Sequence, residues 1–321
     1  MSPEANGEIS SLTNSLSTLH AALLTPYDAD GKVSENCLRN LIAYVRRQGI
    51  DGLYVGGSTG EGLLQTTDER LSILSNVAEA GDGCPLIGQV GAIGTREAQQ
   101  LARGCASLGY DAVSAIPPIY FPHKKDAIVG YYRDILDAAQ GLPLIIYNIP
   151  AMSGVTFTLD DLGHLLEIPG VLGIKQTSGD MYQMEQLRRA FPSALLLNGY
   201  DEVLLAGLVS GANGGIGSTY NVMGGRYVDL IAHLKSGDVT SAAAAQSKCN
   251  IVIDELVKVG VFSGLKYLLN LLGVIATPAC RKPIATLSSA TCGKLAAIAR
   301  TLVEENASRS SQVRHPTAGA L

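Results

Sequence analysis

The sequence predicts an α/β fold, a closed (β/α)8 TIM barrel with a C-terminal three-helix extension. Short apolar runs rich in β-forming residues alternate with amphipathic segments, and eight such pairs can be counted before residue 236. Buried strands that alternate with helices are typical of parallel βαβ units, and a barrel of eight such units needs about 250 residues. Beyond the eighth pair the apolar pattern is helical only.

The eight predicted strands are short and apolar, and turn-forming residues follow most of them. They are "AALLTPY" (21–27), "GLYVGG" (52–57), "PLIGQVG" (85–91), "AVSAIPP" (112–118), "PLIIYNIP" (143–150), "VLGIKQTS" (171–178), "ALLLNGYD" (194–201) and "GGIGST" (214–219). The eighth run is rich in glycine and has weak β-propensity.

The predicted helices begin at Ser or Thr caps with acidic residues in the first turn, and many end on glycine. Examples are the segments 34–49 and 66–81, and an eighth helix is expected at about 221–236. Three further helices are predicted within 241–260, 262–273 and 285–306.

These patterns divide the chain into four parts. We expect a flexible leader over 1–17, a barrel catalytic domain over 18–236, a helical extension over 237–303 and a flexible tail over 304–321.

Composition argues against several classes of function. The net charge is −5 and no basic stripe occurs, so no nucleic-acid partner is expected. No uncharged apolar run reaches about 18 residues, which predicts no membrane span. Six scattered cysteines lack the spacing of metal ligands and are interpreted as reduced thiols, so no metal site is expected. The first basic residue is Lys32, and the absence of early positive charge predicts a cytoplasmic protein.

In a barrel of this type the chemistry lies at the C-terminal ends of the strands, where the βα loops gather. Polar and glycine-rich motifs concentrate at those positions. They are "GGSTGE", "YNIPAMSG", "KQTSGD", "NGYDE" and "GIGST", after strands two, five, six, seven and eight.

Lys175 is the one lysine of ten that lies within a predicted strand, whereas the other nine can face water. Strand alternation places Gly173 and Lys175 on one face, and Tyr147 shares the corresponding face of strand five. If both faces point inward, Lys175 and Tyr147 meet, and Gly173 leaves room for the lysine stem. Burial lowers the pKa of a lysine, and a neutral amine forms Schiff bases with ketones. The alternative is a snorkelling lysine or a structural ion pair.

Other polar residues at this end of the barrel each allow two interpretations. Tyr147 is either a proton shuttle for Schiff-base chemistry or a packing residue. Ser58 and Thr59 form either an anion cradle suited to a carboxylate or a flexible turn. Asp201 and Glu202 are either acidic residues at a helix start or acceptors for the hydroxyls of a polyhydroxylated substrate.

Ser218 offers one more hydroxyl in "GIGST", where many barrels bind phosphate. Two nearby carboxylates would repel a phosphate, so a neutral sugar chain is the better interpretation.

Six motifs resemble the N-acetylneuraminate lyase branch of the class I, pyruvate-dependent aldolases, a superfamily that also contains dihydrodipicolinate synthase. The resemblance runs from about residue 18 to 303, and its specificity comes from the order and spacing of the motifs. The motifs are "GGSTGE", "YNIPAMSG", "GIKQTSGDMYQMEQLRR", "NGYDE", "GANGGIGSTYN" and "VFSGLK".

The resemblance implies that Lys175 forms the Schiff base and that Tyr147 is the acid/base residue. It implies that Ser58 and Thr59 hold the carboxylate, so that Ser58 counts as catalytic. Tyr120 matches a tyrosine that reaches into the site of a neighbouring subunit in a homotetramer. No metal or other cofactor is implied. The positions that match sugar contacts are Thr177, Gly199, Asp201, Glu202 and Ser218.

The expected activity is reversible cleavage of N-acetylneuraminate to N-acetyl-D-mannosamine and pyruvate. The alternatives are the same chemistry on another aldehyde, as in dihydrodipicolinate synthesis or cleavage of a keto-deoxy sugar acid. The synthase is expected to carry an arginine just after "YN-P", and "YNIPAMSG" has none. A barrel that binds pyruvate or sialic acid without turnover is a third possibility.

Overall fold

The computed structural model describes residues 3–81, 83–287 and 293–314. By its internal contacts the chain forms two compact units. The first unit consists of Met1–Thr25 and Ile50–Ser218, and the second of Pro26–Gly49 and Thr219–Leu321. The boundaries predicted at residues 236 and 303 stay predictions.

The first unit contains a closed barrel of parallel strands in chain order, in which β8 pairs with β1. This arrangement confirms the predicted barrel. The strands are β1 Leu19–Ala22, β2 Gly52–Val55, β3 Leu86–Gln89, β4 Ala112–Ala115, β5 Leu144–Asn148, β6 Val171–Gln176, β7 Leu195–Asn198 and β8 Gly214–Gly217.

Glycine in β8 is required by close packing, which outweighs its weak strand propensity. A Cβ atom on Gly214 would lie 2.8 Å from the carbonyl carbon of Thr18 and 3.0 Å from its backbone nitrogen. The backbone before β1 can therefore approach β8 and close the barrel.

Thirteen α-helices lie within the described ranges, together with short 3-10 turns at Gly62–Leu64 and Asp201–Val203. The helices are α1 Pro3–Leu16, α2 Glu35–Arg47, α3 Thr67–Ala80, α4 Thr95–Ser107, α5 Lys125–Ala138, α6 Pro150–Ser153, α7 Leu159–Leu166, α8 Met181–Ala190, α9 Leu204–Val209, α10 Tyr220–Lys235, α11 Val239–Val259, α12 Val261–Leu271 and α13 Gly293–Arg314.

The predicted caps are confirmed in part. The Thr66 side chain accepts a hydrogen bond from the Glu69 backbone, and the Glu69 side chain accepts one from Thr66, which forms a capping box for α3. Ser34 occupies the N-cap of α2 in an extended conformation but makes no side-chain capping bond.

The structure differs from the flexible leader expected over 1–17. Pro3–Leu16 forms α1, and Leu16 at its end is fully buried in the barrel core. Leu12, one turn earlier, packs against the same core. A four-residue spacing puts both leucines on one helix face, so burial of that face stabilises a segment that is rich in polar residues.

The second unit contains α2 and α10–α13. Helices α10, α11 and α12 agree with the predicted ranges, whereas the helix expected over 285–306 differs. Residues 285–287 are not helical, 288–292 lie outside the described residues, and α13 continues to Arg314. Part of the expected tail is therefore helical. The Arg226 guanidinium makes two hydrogen bonds to the Glu305 carboxylate, which ties α13 to α10.

The expectation that nine lysines face water is wrong for Lys266. This residue lies on α12 and is fully buried. Its Nζ donates to the Ala279 carbonyl at 2.9 Å and lies 4.1 Å from the centre of the Tyr27 ring. A buried ammonium needs partners of this kind, and both come from segments distant in sequence.

Candidate active site

Lys175 lies inside the barrel at the C-terminal half of β6, with 4% of its surface exposed. It pairs with Tyr147 on β5 and with Leu197 on β7, which confirms that Lys175 and Tyr147 meet on adjacent strands. Gly173 has a different role from the predicted one. A Cβ atom there would lie 2.8 Å from the Leu195 Cα, so this glycine lets β7 approach rather than making room for the lysine stem.

The Lys175 amine lies between two aromatic rings. Its Nζ is 3.7 Å from the centre of the Tyr147 ring and 4.3 Å from the centre of the Tyr54 ring. Burial lowers the pKa of Lys175, while its contacts with Tyr147 and the charge of Asp201 oppose the shift. Removal from water dominates, which favours the neutral, nucleophilic amine.

The carboxylate cradle predicted after β2 lies at the same end of the barrel. Thr59 is buried and Ser58 half-buried. The Thr59 hydroxyl is hydrogen-bonded to the Ser218 hydroxyl at 2.6 Å, so the loops after β2 and β8 meet. Close backbone packing shapes the cradle, because a Cβ atom on Gly60 would lie 2.9 Å from the Leu23 carbonyl oxygen. Hydroxyls held this way can donate hydrogen bonds to a carboxylate, which only accepts them.

The predicted sugar-contact residues after β6 and β7 lie in two loops that meet. A Cβ atom on Gly199 would collide with the Thr177 side chain, and the buried Thr177 hydroxyl has no hydrogen-bond partner among the residues that the structure describes. Asp201 is buried at the start of a 3-10 turn and its charge acts on Lys175, whereas Glu202 is exposed. Thr177 and Gly199 therefore lie in contact, and Asp201 lies near enough to Lys175 for its charge to act on the amine.

Tyr120 is not brought to the amine within this chain. Its side chain is 86% exposed, its backbone has a φ of +79°, and its ring meets the Phe121 ring edge-on at 5.0 Å. An exposed aromatic pair of this kind is typical of an interaction surface.

Two features of the site were missed at the sequence level. Tyr54 on β2 contacts Lys175, and strand alternation from Gly52 could have placed it inside the barrel. The second is a chain of amides that begins beside Lys175 and Tyr147. Asn148 donates to Gln176 at 2.8 Å, and Gln176 donates to Gln183 on α8 at 2.7 Å. This chain links the ends of β5 and β6 to a helix and fixes their positions.

In residues 3–81, 83–287 and 293–314, no cluster of three or more His, Cys, Asp or Glu residues could hold a metal ion. In the same part of the chain, no helix combines the length and apolar character that a membrane crossing requires.

Comparison with known proteins agrees with this geometry. A profile of the dihydrodipicolinate synthetase family matches residues 15–302. The N-acetylneuraminate lyase of Salmonella agona is 49% identical over 297 residues, which cover 92% of this chain and 100% of the relative.

Two solved structures are similar in fold and sequence. One is a catalytic lysine mutant of the Ruminococcus gnavus sialic acid aldolase, with 30% identity and a TM-score of 0.85, covering 91% of this chain and 96% of the other. The other is the Fusobacterium nucleatum N-acetylneuraminate lyase complexed with pyruvate, with 37% identity and a TM-score of 0.81, covering 89% and 96%. With a family match over nearly the whole chain and a buried lysine inside an eight-stranded barrel, this chain belongs to the dihydrodipicolinate synthetase family.

Proposed function

We infer that the protein is a Schiff-base aldolase that reversibly cleaves N-acetylneuraminate to N-acetyl-D-mannosamine and pyruvate. The observation that carries this is the buried amine of Lys175, with its lowered pKa, beside Tyr147. The 49% identity to a curated lyase over nearly the whole chain supports the choice of substrate.

In the cleavage direction, the Lys175 amine adds to the C2 ketone of the open-chain sugar acid, and loss of water leaves a protonated Schiff base. The C4 hydroxyl passes its proton to Tyr147 through the bound carboxylate. The C3–C4 bond breaks, its electron pair moves into the iminium to give an enamine, and C4 becomes the aldehyde of N-acetylmannosamine. Proton return to C3 and addition of water release pyruvate and regenerate the amine.

The remaining site residues bind the substrate in this proposal. Ser58 and Thr59 hold the carboxylate, which places C2 next to the amine. The sugar chain lies along the loops after β6, β7 and β8, where its hydroxyls have hydrogen-bond partners. The partners are Thr177, Gly199, Asp201, Glu202 and Ser218.

The proposal extends to assembly and location. Tyr120 of one subunit supports the proton relay in a neighbouring site of a homotetramer, which accounts for its exposure in a single chain. Light scattering at micromolar concentration tests the tetramer, and Tyr120→Ala should lower turnover more than it lowers the yield of trapped imine. The cytoplasm is the proposed location.

Trapping the imine is the direct test of the mechanism. With pyruvate and borohydride, we expect an adduct of pyruvate mass on the peptide that contains Lys175 and none in Lys175→Met. A wild-type protein that is folded but yields no adduct contradicts the mechanism.

The second candidate is the same chemistry on another aldehyde, since the family includes dihydrodipicolinate synthase. The segment "YNIPAMSG" lacks the arginine that a second carboxylate requires, and Met152 is exposed in that segment. Steady-state assays with pyruvate plus N-acetylmannosamine, aspartate semialdehyde or a keto-deoxy sugar aldehyde separate these activities. Turnover with N-acetylmannosamine also excludes a barrel that only binds its ligand.

A further inference from the structure

The second aromatic ring at the Lys175 amine belongs to Tyr54. This ring is fully buried on the inner face of β2, and its centre lies 4.3 Å from Nζ. The contact places the Lys175 nitrogen over the negative face of the ring, where the cationic forms of that nitrogen gain cation–π attraction, which is stronger for a buried pair than for an exposed one.

The Tyr54 ring is held in orientation at both of its ends. Its hydroxyl donates to the Ser114 hydroxyl at 3.1 Å, and Ser114 donates to the Ile145 carbonyl at 2.9 Å. Its ring meets the Tyr147 ring edge to face, at 5.9 Å between centres and 88° between planes. Strands β2, β4 and β5 are thereby tied to one ring that contacts both proposed catalytic side chains.

We propose that Tyr54 is a positioning residue for the Schiff base: its ring face stabilises the nitrogen of Lys175 while that nitrogen is cationic, and its anchored plane aligns the amine with Tyr147. This inference deepens the proposed function and rests on it. The nitrogen is cationic whenever the amine is protonated, and again in the protonated Schiff base. Asp201 contributes the carboxylate charge that acts on it, so the rings supply further stabilisation.

Loss of the ring has a definite expected effect. The ammonium form of Lys175 becomes less stable, so the amine titrates at lower pH, by about one unit for a desolvated cation–π contact. The protonated Schiff base is destabilised in the same way, so bond cleavage slows. We therefore expect a shifted pH profile together with a lower kcat.

The experiment measures the rate of borohydride-trapped imine formation with pyruvate between pH 5 and 9, and kcat and KM for N-acetylneuraminate. In Tyr54→Leu, we expect the acid limb of the pH profile of imine formation to shift by about one unit to lower pH. We also expect kcat to fall about tenfold, with a smaller change in KM. Tyr54→Phe keeps the ring, so its acid limb should coincide with that of the wild type. The matched control is Tyr110→Leu, which removes another buried tyrosine whose hydroxyl donates to the Leu74 carbonyl.

The outcomes separate this inference from the function on which it rests. If the acid limb of the pH profile of Tyr54→Leu coincides with that of the wild type, the positioning role is overturned. A pyruvate adduct trapped in the wild type still supports the aldolase activity in that case. If Tyr54→Leu does not fold, 3,4,5-trifluorophenylalanine at position 54 keeps the shape and weakens the ring face. The acid limb of the pH profile of this variant should lie at lower pH than that of Tyr54→Phe. If the two acid limbs coincide, the inference is overturned. No wild-type adduct refutes the aldolase and this role together.

Discussion

The stability of the first unit should depend on pH through His20. This residue is fully buried on β1, and its Nε2 contacts the Leu16 carbonyl oxygen at 3.0 Å. Burial lowers the pKa of His20 to about 4, although the Leu16 carbonyl and the Asp51 charge act in the opposite direction. The perturbation is His20→Gln, which removes the titration and keeps a side-chain donor.

The size of the effect follows from the two pKa values. An unfolded histidine titrates near pH 6.5, so between pH 6.5 and 4 the unfolded state binds a proton that the folded state does not. The stabilisation from neutral His20 is complete above pH 6.5 and is lost as the pH falls. The total loss is about 3 kcal/mol, and about 2 kcal/mol of it falls between pH 6.5 and 4.5.

Urea unfolding at pH 6.5, 5.5 and 4.5, at one fixed protein concentration, gives the free energy of unfolding for each protein. The wild type should lose about 2 kcal/mol more than His20→Gln across this range. The matched control is His123→Gln at an exposed histidine, which should keep the wild-type slope. Parallel pH dependence of the wild type and His20→Gln would refute the reasoning.

Three further predictions concern the site and its support. Tyr147→Phe keeps the ring beside the lysine and removes only the hydroxyl that transfers the proton. The pyruvate adduct should therefore still be trapped, while kcat falls about 10²- to 10⁴-fold. An unchanged kcat would show that Tyr147 does not transfer the proton. Gly173→Ala forces a methyl group onto the Leu195 backbone and should lower the free energy of unfolding by about 1–3 kcal/mol, measured by thermal or urea unfolding. Gly179→Ala, which adds its methyl group in open space, should leave the free energy of unfolding unchanged. Equal melting of the two variants contradicts the packing argument. Gln183→Leu removes the acceptor at the end of the amide chain and should lower the free energy of unfolding by about 1–3 kcal/mol. An unchanged free energy of unfolding would show that this chain does not stabilise the fold.

The pairing of Lys175 with Tyr147 could be predicted because a strand repeats every two residues. Every second residue of a strand faces the same side, which is enough to group the inward-facing residues of β5 and of β6. The structure pairs Ile145 with Gly173 and Tyr147 with Lys175. The register between these strands shifts between Leu144 and Ile145. The prediction is correct because both catalytic candidates lie beyond the shift, which no sequence pattern indicates.

Features that depend on distant partners could not be predicted. The leader is rich in polar residues, so its composition indicates a flexible segment. Its helix forms because the barrel core offers Leu12 and Leu16 a surface. The orientation of Tyr54 likewise depends on Ser114, which lies 60 residues away in the chain.

The two buried lysines show that burial alone does not indicate a reactive amine. Lys266 donates to the Ala279 carbonyl, and its Nζ lies over the Tyr27 ring. Those contacts join α12 to two loops and give a structural role. Both lysines lie against a tyrosine ring, but Lys175 lies at the barrel end where the polar loops meet, and the charge of Asp201 acts on it. Burial is common to both lysines, so the feature that distinguishes a candidate Schiff-base lysine is its place in the fold, at the C-terminal end of a barrel strand.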